Sequence, residues 1–147
     1  MTNKAIEEQL QELLPKSIDD VVRENRDKLR LALATEDELK ALETTIADVS
    51  VRHQLEGWNV LMLHATTASG QVSSPRLIGR VVDSGESWIT SHVVGIDFGR
   101  GLVQTKSSLY RIIGPRADET DTDLLRICAA MHEWRLGDHY GVPHVFY

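Results

Sequence analysis

The sequence predicts an α+β protein in which helices flank a small, curled antiparallel β-sheet. Before residue 57, apolar residues recur every three or four positions among charged ones, which is typical of amphipathic helices. After it, short alternating runs rich in β-branched residues are separated by glycine and serine, which is typical of strands joined by turns. We therefore predict an N-terminal helical segment over residues 1–56, and a β-barrel with a C-terminal helix and a docked tail over residues 57–147.

The N-terminal segment predicts three helices. Pro15 ends the first, because proline cannot continue a helix, and Ser17 is suited to cap the second. The third has the clearest start, because Thr35 and Glu38 fit the reciprocal capping box. The helix faces that we expect to be buried carry, in order, Ile6, Leu10, Leu13 and Leu14; Ile18, Val21 or Val22, Asn25, Leu29 and Leu33; and Leu39, Leu42, Ile46 and Val49.

Four or five strands are predicted in the middle of the chain. The alternating runs cover residues 58–67, 77–82, 88–94, 102–105 and 109–113. Turns are predicted over residues 68–75, 83–86 and 97–101. Because the turns between the strands are short, we expect an antiparallel meander that curls into a small SH3-like barrel and so protects its edges.

A last helix is predicted from about residue 122. Gly137 is suited to end it, because glycine readily adopts the left-handed conformation found just after helices. The expected core face of this helix carries Leu124, Leu125, Cys128 and Met131. The tail that follows contains Tyr140, Val142, Val145, Phe146 and Tyr147. We expect so apolar a tail to dock on the core.

Two neighbouring strands carry a resemblance to known proteins. Residues 90–97 read TSHVVGID and residues 103–112 read VQTKSSLYRI. This pattern resembles a strand–turn–strand pattern in small uncharacterised proteins of bacteria and their phages, and it covers about 23 of the 147 residues. The resemblance implies a small barrel and an origin in a mobile element, and it implies no particular activity.

The charge, cysteine count and apolar runs of the sequence indicate where the protein is located and which partners it does not bind. A formal net charge of −6 argues against direct binding to the phosphate backbone of a nucleic acid. The single cysteine, Cys128, excludes an intrachain disulfide, and the first residues lack the pattern of a signal peptide. Every apolar run is far shorter than the roughly 20 residues that span a bilayer. We expect a cytoplasmic protein without a cofactor, which binds neither nucleic acid nor membrane.

The sharpest surface feature is a set of acidic residues in two segments. One segment precedes the last helix and the other starts the third, and together they contain Asp118, Glu119, Asp121, Asp123, Glu36, Asp37 and Glu38. Carboxylates are favoured at helix N-termini, but an exposed array can also imitate nucleic-acid phosphates and bind a basic groove on another protein. The sequence therefore predicts a non-enzymatic protein-binding module, namely a phage or mobile-element inhibitor of a bacterial nucleic-acid-handling complex that has a basic surface.

Two other functions stay open. The C-terminal residues able to bind zinc are His132, Asp138, His139 and His144, but their spacing matches no established zinc pattern and we assign no metal site from it. Cys128 lies four residues before His132, as a thiolate–imidazolium pair on a helix would require. A small metal-dependent or Cys/His enzyme is thus one alternative. A structural homodimer, assembled through the helices, is the other.

Overall fold

The computed structural model describes residues 3–47 and 50–144 of the chain. Within them the protein is α+β, with three α-helices, two short 3-10 helices and one six-stranded mixed sheet. The α-helices are α1 (Asn3–Leu13), α2 (Glu36–Ala41) and α3 (Leu124–Glu133), and the 3-10 helices are Asp19–Val21 and Glu119–Asp121. The strands are β1 (Leu29–Leu33), β2 (His53–Thr67), β3 (Gly70–Val81), β4 (Ser87–Asp97), β5 (Leu102–Thr105) and β6 (Leu109–Ile113).

We predicted an antiparallel sheet, but the sheet is mixed. Consecutive strands from β1 to β6 pair antiparallel, and β6 also pairs parallel with the first residues of β2, with His53 opposite Tyr110 and Glu56 opposite Ile113. This is feasible because β2 has 15 residues, so its first part pairs with β6 and its last part with β1. Gly57, at a φ of 54°, lies where the β2–β3 register shifts between the two parts.

The described part of the chain buries its apolar residues in two clusters. One cluster joins α3 and residues 18–22 to β1, β2 and β3, and includes Ile18, Leu31, Leu61, Ile127 and Met131. The other joins α2 to strands β2 to β6, and includes Leu39, Leu55, Leu77, Ile96 and Val103. Residues 18–22, α2 and α3 are therefore fixed by side chains that pack on the sheet.

The second predicted helix is wrong. Only Asp19–Val21 is helical there, as a single 3-10 turn, and Leu29–Leu33 forms strand β1. Asn25 has a φ of 54°, which turns the chain before the strand. Residues 29, 31 and 33 of the strand are more buried than residues 30 and 32. Burial therefore alternates along the strand, although the spacing of Leu29 and Leu33 also fits a helix.

The other N-terminal helices are confirmed, although α2 is shorter than predicted. Thr35 and Glu38 form the reciprocal capping box, and the helix ends at Ala41. Ile46 therefore lies outside α2, and Val49 lies outside the described residues. The predicted turn over residues 68–75 is wrong beyond residue 69, because residues 70–75 pair with residues 62–67 of β2 and lengthen the hairpin.

The C-terminal helix begins where predicted but ends earlier. The Asp123 side chain caps it by accepting a hydrogen bond from the backbone nitrogen of Arg126. Arg135, at a φ of 64°, takes the left-handed position, and Leu136 donates its backbone N–H to Met131 at 2.9 Å. The prediction that Gly137 ends this helix is therefore wrong.

The core face of α3 and the docking of the tail are partly confirmed. Cys128 and Met131 are buried as predicted, whereas Leu124 and Leu125 are half-buried. Val142 is buried in the core, and residues 145–147 lie outside the described part of the chain. Among the described residues, no helix combines the length and the apolar character that crossing a membrane requires.

Candidate functional site

A network of hydrogen bonds around Arg116 fixes the loop between β6 and α3. The Arg116 Nε donates to Asn59 Oδ1 at 2.6 Å. One terminal nitrogen of the same guanidinium donates to Glu36 Oε1 at 3.3 Å, and the other donates to the backbone oxygen of Ala34. The buried Asn59 side chain in turn donates to the backbone oxygen of Ala117 at 2.7 Å. This loop, which carries acidic residues, is thereby held against β2 and the start of α2.

The two acidic segments meet at this network although they are about 80 residues apart in sequence. Arg116 joins Glu36, at the start of α2, to the loop in which Asp118 follows two residues later. Asp37, Asp118, Glu119 and Asp121 are exposed, and the Glu36 side chain keeps 80% of its surface exposed. We call Glu36, Asp37, Asp118, Glu119 and Asp121 the acidic face.

Two of the predicted site residues also have structural roles. Asp123 caps α3, and its carboxylate also accepts a hydrogen bond from Ser87 Oγ at 2.6 Å. Glu38 closes the capping box of α2 by accepting from the backbone nitrogen of Thr35 at 2.9 Å. Because these contacts hold both carboxylates in place, we leave both residues out of the acidic face.

A surface groove adjoins the acidic face and contains residues that the sequence did not suggest. Its lining includes Glu56, Ile113, Pro115, Asp118 and Asp121. Glu56 and Ile113 are opposite each other in the parallel β2–β6 pairing, and Ile113 keeps 39% of its surface exposed. An antiparallel meander does not predict that pairing, which is why the sequence did not reveal these two residues. The groove combines apolar surface with three carboxylates.

The C-terminal histidines are only partly brought together. His132, Asp138 and His144 offer ligand atoms that all lie within 4.8 Å of one another. His139, the fourth predicted candidate, is not a member of this group, and its ring lies edge-on to Tyr140 at 4.8 Å between centroids. The structure thus brings three of the four candidate residues together.

Cys128 lies in the hydrophobic core. Its side chain is completely buried, and this burial raises the pKa of the thiol to about 11. A thiol with this pKa is protonated at neutral pH and is therefore a poor nucleophile. The arrangement favours the packing role over the Cys/His pair.

A second polar group, which the sequence did not suggest, lies on the β2–β3 hairpin. Ser73 Oγ is 2.8 Å from His64 Nδ1, and His64 Nε2 is 3.6 Å from Glu38 Oε2. Serine, histidine and a carboxylate in series resemble the residue types of a hydrolytic triad, but Glu38 is already engaged in its capping box. Ser73 and His64 are cross-strand partners, so pairing alone accounts for their contact.

Comparisons with protein-family models, with curated proteins and with solved structures found no match to this chain. The resemblance of residues 90–112 to small bacterial and phage proteins therefore stays a prediction.

Proposed function

We propose that this protein is a non-enzymatic, cytoplasmic protein-binding module whose acidic face and adjoining groove bind a basic surface of another protein. The observation that carries this proposal is the Arg116 network, which joins two distant acidic segments into one surface. A preformed array of carboxylates attracts a basic partner over a distance and selects against acidic ones.

The groove supports a partner that is both basic and partly apolar. Glu56, Asp118 and Asp121 contribute three carboxylates to it, against the single guanidinium of Arg116. Ile113 and Pro115 together add apolar surface to the groove. A lysine or arginine side chain fits this combination, because its long aliphatic stem packs on apolar groups while its charged end meets a carboxylate.

The resemblance of residues 90–112 favours an origin in a phage or mobile element, and the acidic face favours a bacterial nucleic-acid-handling complex as the target that this protein inhibits. Proteins that bind nucleic acid carry basic grooves for phosphates, and an acidic face competes for such a groove. We further propose that the sheet is an SH3-like barrel. In support, β2, β3, β4, β5 and β6 pair in succession, and β6 pairs again with β2.

The test is an affinity capture in which the tagged protein binds partners from a nuclease-treated bacterial lysate at low and at high salt. Three forms of the protein are compared. The first is the wild type and the second carries Asp118→Lys, Glu119→Lys and Asp121→Lys. The third is a control that carries Asp27→Lys, Asp83→Lys and Glu86→Lys, three exposed residues outside the acidic face, with the same change in net charge.

We expect the wild type and the control to retain the same protein partner at low salt, and the acidic-face variant to lose it by at least about tenfold. High salt should weaken the capture, because screening reduces attraction between exposed charges. Capture that ignores salt, or equal loss in the control, would refute the proposal.

The second candidate function, which the exposed face of α1 favours, is that of a structural homodimer. On α1, Ile6 keeps 44% and Leu13 keeps 48% of its surface exposed, and such apolar side chains on one amphipathic helix favour pairing with a second copy. Light scattering should then give twice the mass of one chain. Ile6→Glu with Leu13→Glu should give a monomer, and Lys4→Glu, with the same charge change on α1, should not. A monomeric wild type would contradict the dimer.

A further inference from the structure

We propose that His132, Asp138 and His144 form a binding site for Zn²⁺ at the C-terminal end of α3. This site is separate from the acidic face. Asp121 of the acidic face precedes the first residue of α3, whereas His132 lies in the last turn of that helix. The three side chains bring their ligand atoms within 4.8 Å of one another.

The backbone that carries His132 and Asp138 is held in place. After α3, the chain reverses over residues 138–141, with Val142 donating its N–H to the backbone oxygen of Gly137 at 2.9 Å. Tyr140 accepts backbone hydrogen bonds from Arg23 and Glu24, at 2.9 and 3.0 Å. A site on this turn is therefore fastened to the rest of the fold.

Gly137 allows the turn to approach the histidine. A Cβ atom at this position would overlap the His132 ring, so only glycine lets the backbone come so close. This close approach brings Asp138, the next residue, to His132, with 3.8 Å between Oδ1 and Nδ1. The glycine that we expected to end the helix thus serves the histidine group instead.

The orientation of His132 matches that of a metal ligand. Its Nε2 lies 2.9 Å from the backbone oxygen of Val142, and because a carbonyl only accepts, Nε2 carries the hydrogen. The other ring nitrogen, Nδ1, lies 3.8 Å from Asp138 Oδ1. Metal-binding histidines commonly donate their other ring nitrogen to a backbone carbonyl, which fixes the tautomer and the ring.

The remaining ligands can close around an ion. His144 Nε2 is 2.8 Å from Asp138 Oδ1, and the two imidazole rings are 3.9 Å apart between centroids. Tetrahedral zinc with bonds of about 2.0 to 2.2 Å needs its ligand atoms roughly 3.3 Å apart. The Asp138 and His144 side chains are 86% and 66% exposed, which leaves room for the adjustment.

Two imidazoles and one carboxylate are a ligand set that suits Zn²⁺, with water completing the coordination. The ion would join the last turn of α3 to the tail. Because such an ion binds the folded chain and not the unfolded one, it stabilises the docked tail.

The test is calorimetric titration of Zn²⁺ into the purified full chain after chelator treatment. We expect a single saturable site in the wild type, and at least about tenfold weaker binding in His144→Ala and in Asp138→Asn. His139→Ala is the matched control, since it removes an exposed neighbouring histidine outside the group, and its affinity should equal that of the wild type. Circular dichroism confirms that each variant is folded.

Thermal unfolding gives a second measurement. Excess Zn²⁺ should raise the Tm of the wild type and of His139→Ala, and leave the Tm of His144→Ala unchanged. The proposal is wrong if the wild type shows no saturable zinc binding. It is equally wrong if His139→Ala loses as much affinity as His144→Ala.

Discussion

Two helices of this protein, α1 and α3, share an amphipathic sequence pattern and differ in what covers it. They have 11 and 10 residues, respectively. On α3 the apolar face is buried, with Ile127 at 1% and Met131 at 0% exposure. On α1, Ile6 and Leu13 keep nearly half of their surface exposed. An amphipathic pattern therefore predicts that a helix has a face to bury, but not the surface that covers it.

The ends of the two helices differ in the same way. The Asp123 side chain satisfies a backbone N–H at the start of α3, and His132 lies in its last turn. The first turn of α1 contains Lys4 and no acidic residue, and its last turn contains no basic residue. Because short helices are marginal alone, α3 is stabilised by its own caps and core, whereas α1 depends on what its apolar face meets.

The largest effect expected from this comparison comes from shortening one apolar side chain on each helix. Ile127→Ala on α3 should lower the free energy of unfolding by about 2 to 5 kcal/mol, since it leaves a cavity in a closed core. Ile6→Ala on α1 should change it by less than about 0.5 kcal/mol. Urea denaturation measures the free energy of unfolding of both variants. The protein concentration is kept low enough that light scattering finds a monomer, so that a second copy does not cover α1.

Comparable losses in the two variants would show that α1 packs as tightly as α3 in solution, and would remove the contrast between them. An unchanged stability in Ile127→Ala would instead contradict the packing of α3 on the sheet.

Much of the fold could be predicted because several elements carry local signals. The Thr35 capping box, strands β2 and β4, and the turn at residues 97–101 were predicted from neighbours in sequence, and the structure has each of them. Strand β1 was missed because Leu29 and Leu33 fit a helical spacing as well as an alternating one. The parallel pairing of β2 with β6 was missed because it joins residues more than 50 positions apart.

The candidate sites show the same limit. The sequence identified the acidic residues and the cap that Glu38 forms with Thr35, but not that the Asp123 carboxylate also accepts from Ser87, which lies 36 residues away. It gave no sign of Arg116 as the link between the two segments. At the C-terminus it offered four zinc-binding residues, and only the turn at Gly137 decides that His139 lies apart from the other three.

A smaller effect is expected at the start of α3, where a carboxylate could serve the fold or a partner. Asp123→Ala should lower the free energy of unfolding by about 1 kcal/mol, because it removes the cap and the acceptor for Ser87 Oγ. Asp123→Asn keeps an oxygen that can cap, so it should recover most of that loss.

Asp121→Ala is the control for this measurement, because Asp121 lies two residues earlier in an exposed position and belongs to the acidic face. Its loss should leave the urea midpoint nearly unchanged while weakening partner capture. If Asp121→Ala destabilised the protein as much as Asp123→Ala, the separation between structural and exposed carboxylates would fail. If Asp123→Asn destabilised as much as Asp123→Ala, the charge of Asp123 rather than its hydrogen bonds would stabilise α3. That helix would then depend on electrostatic attraction at its N-terminus, which α1 lacks.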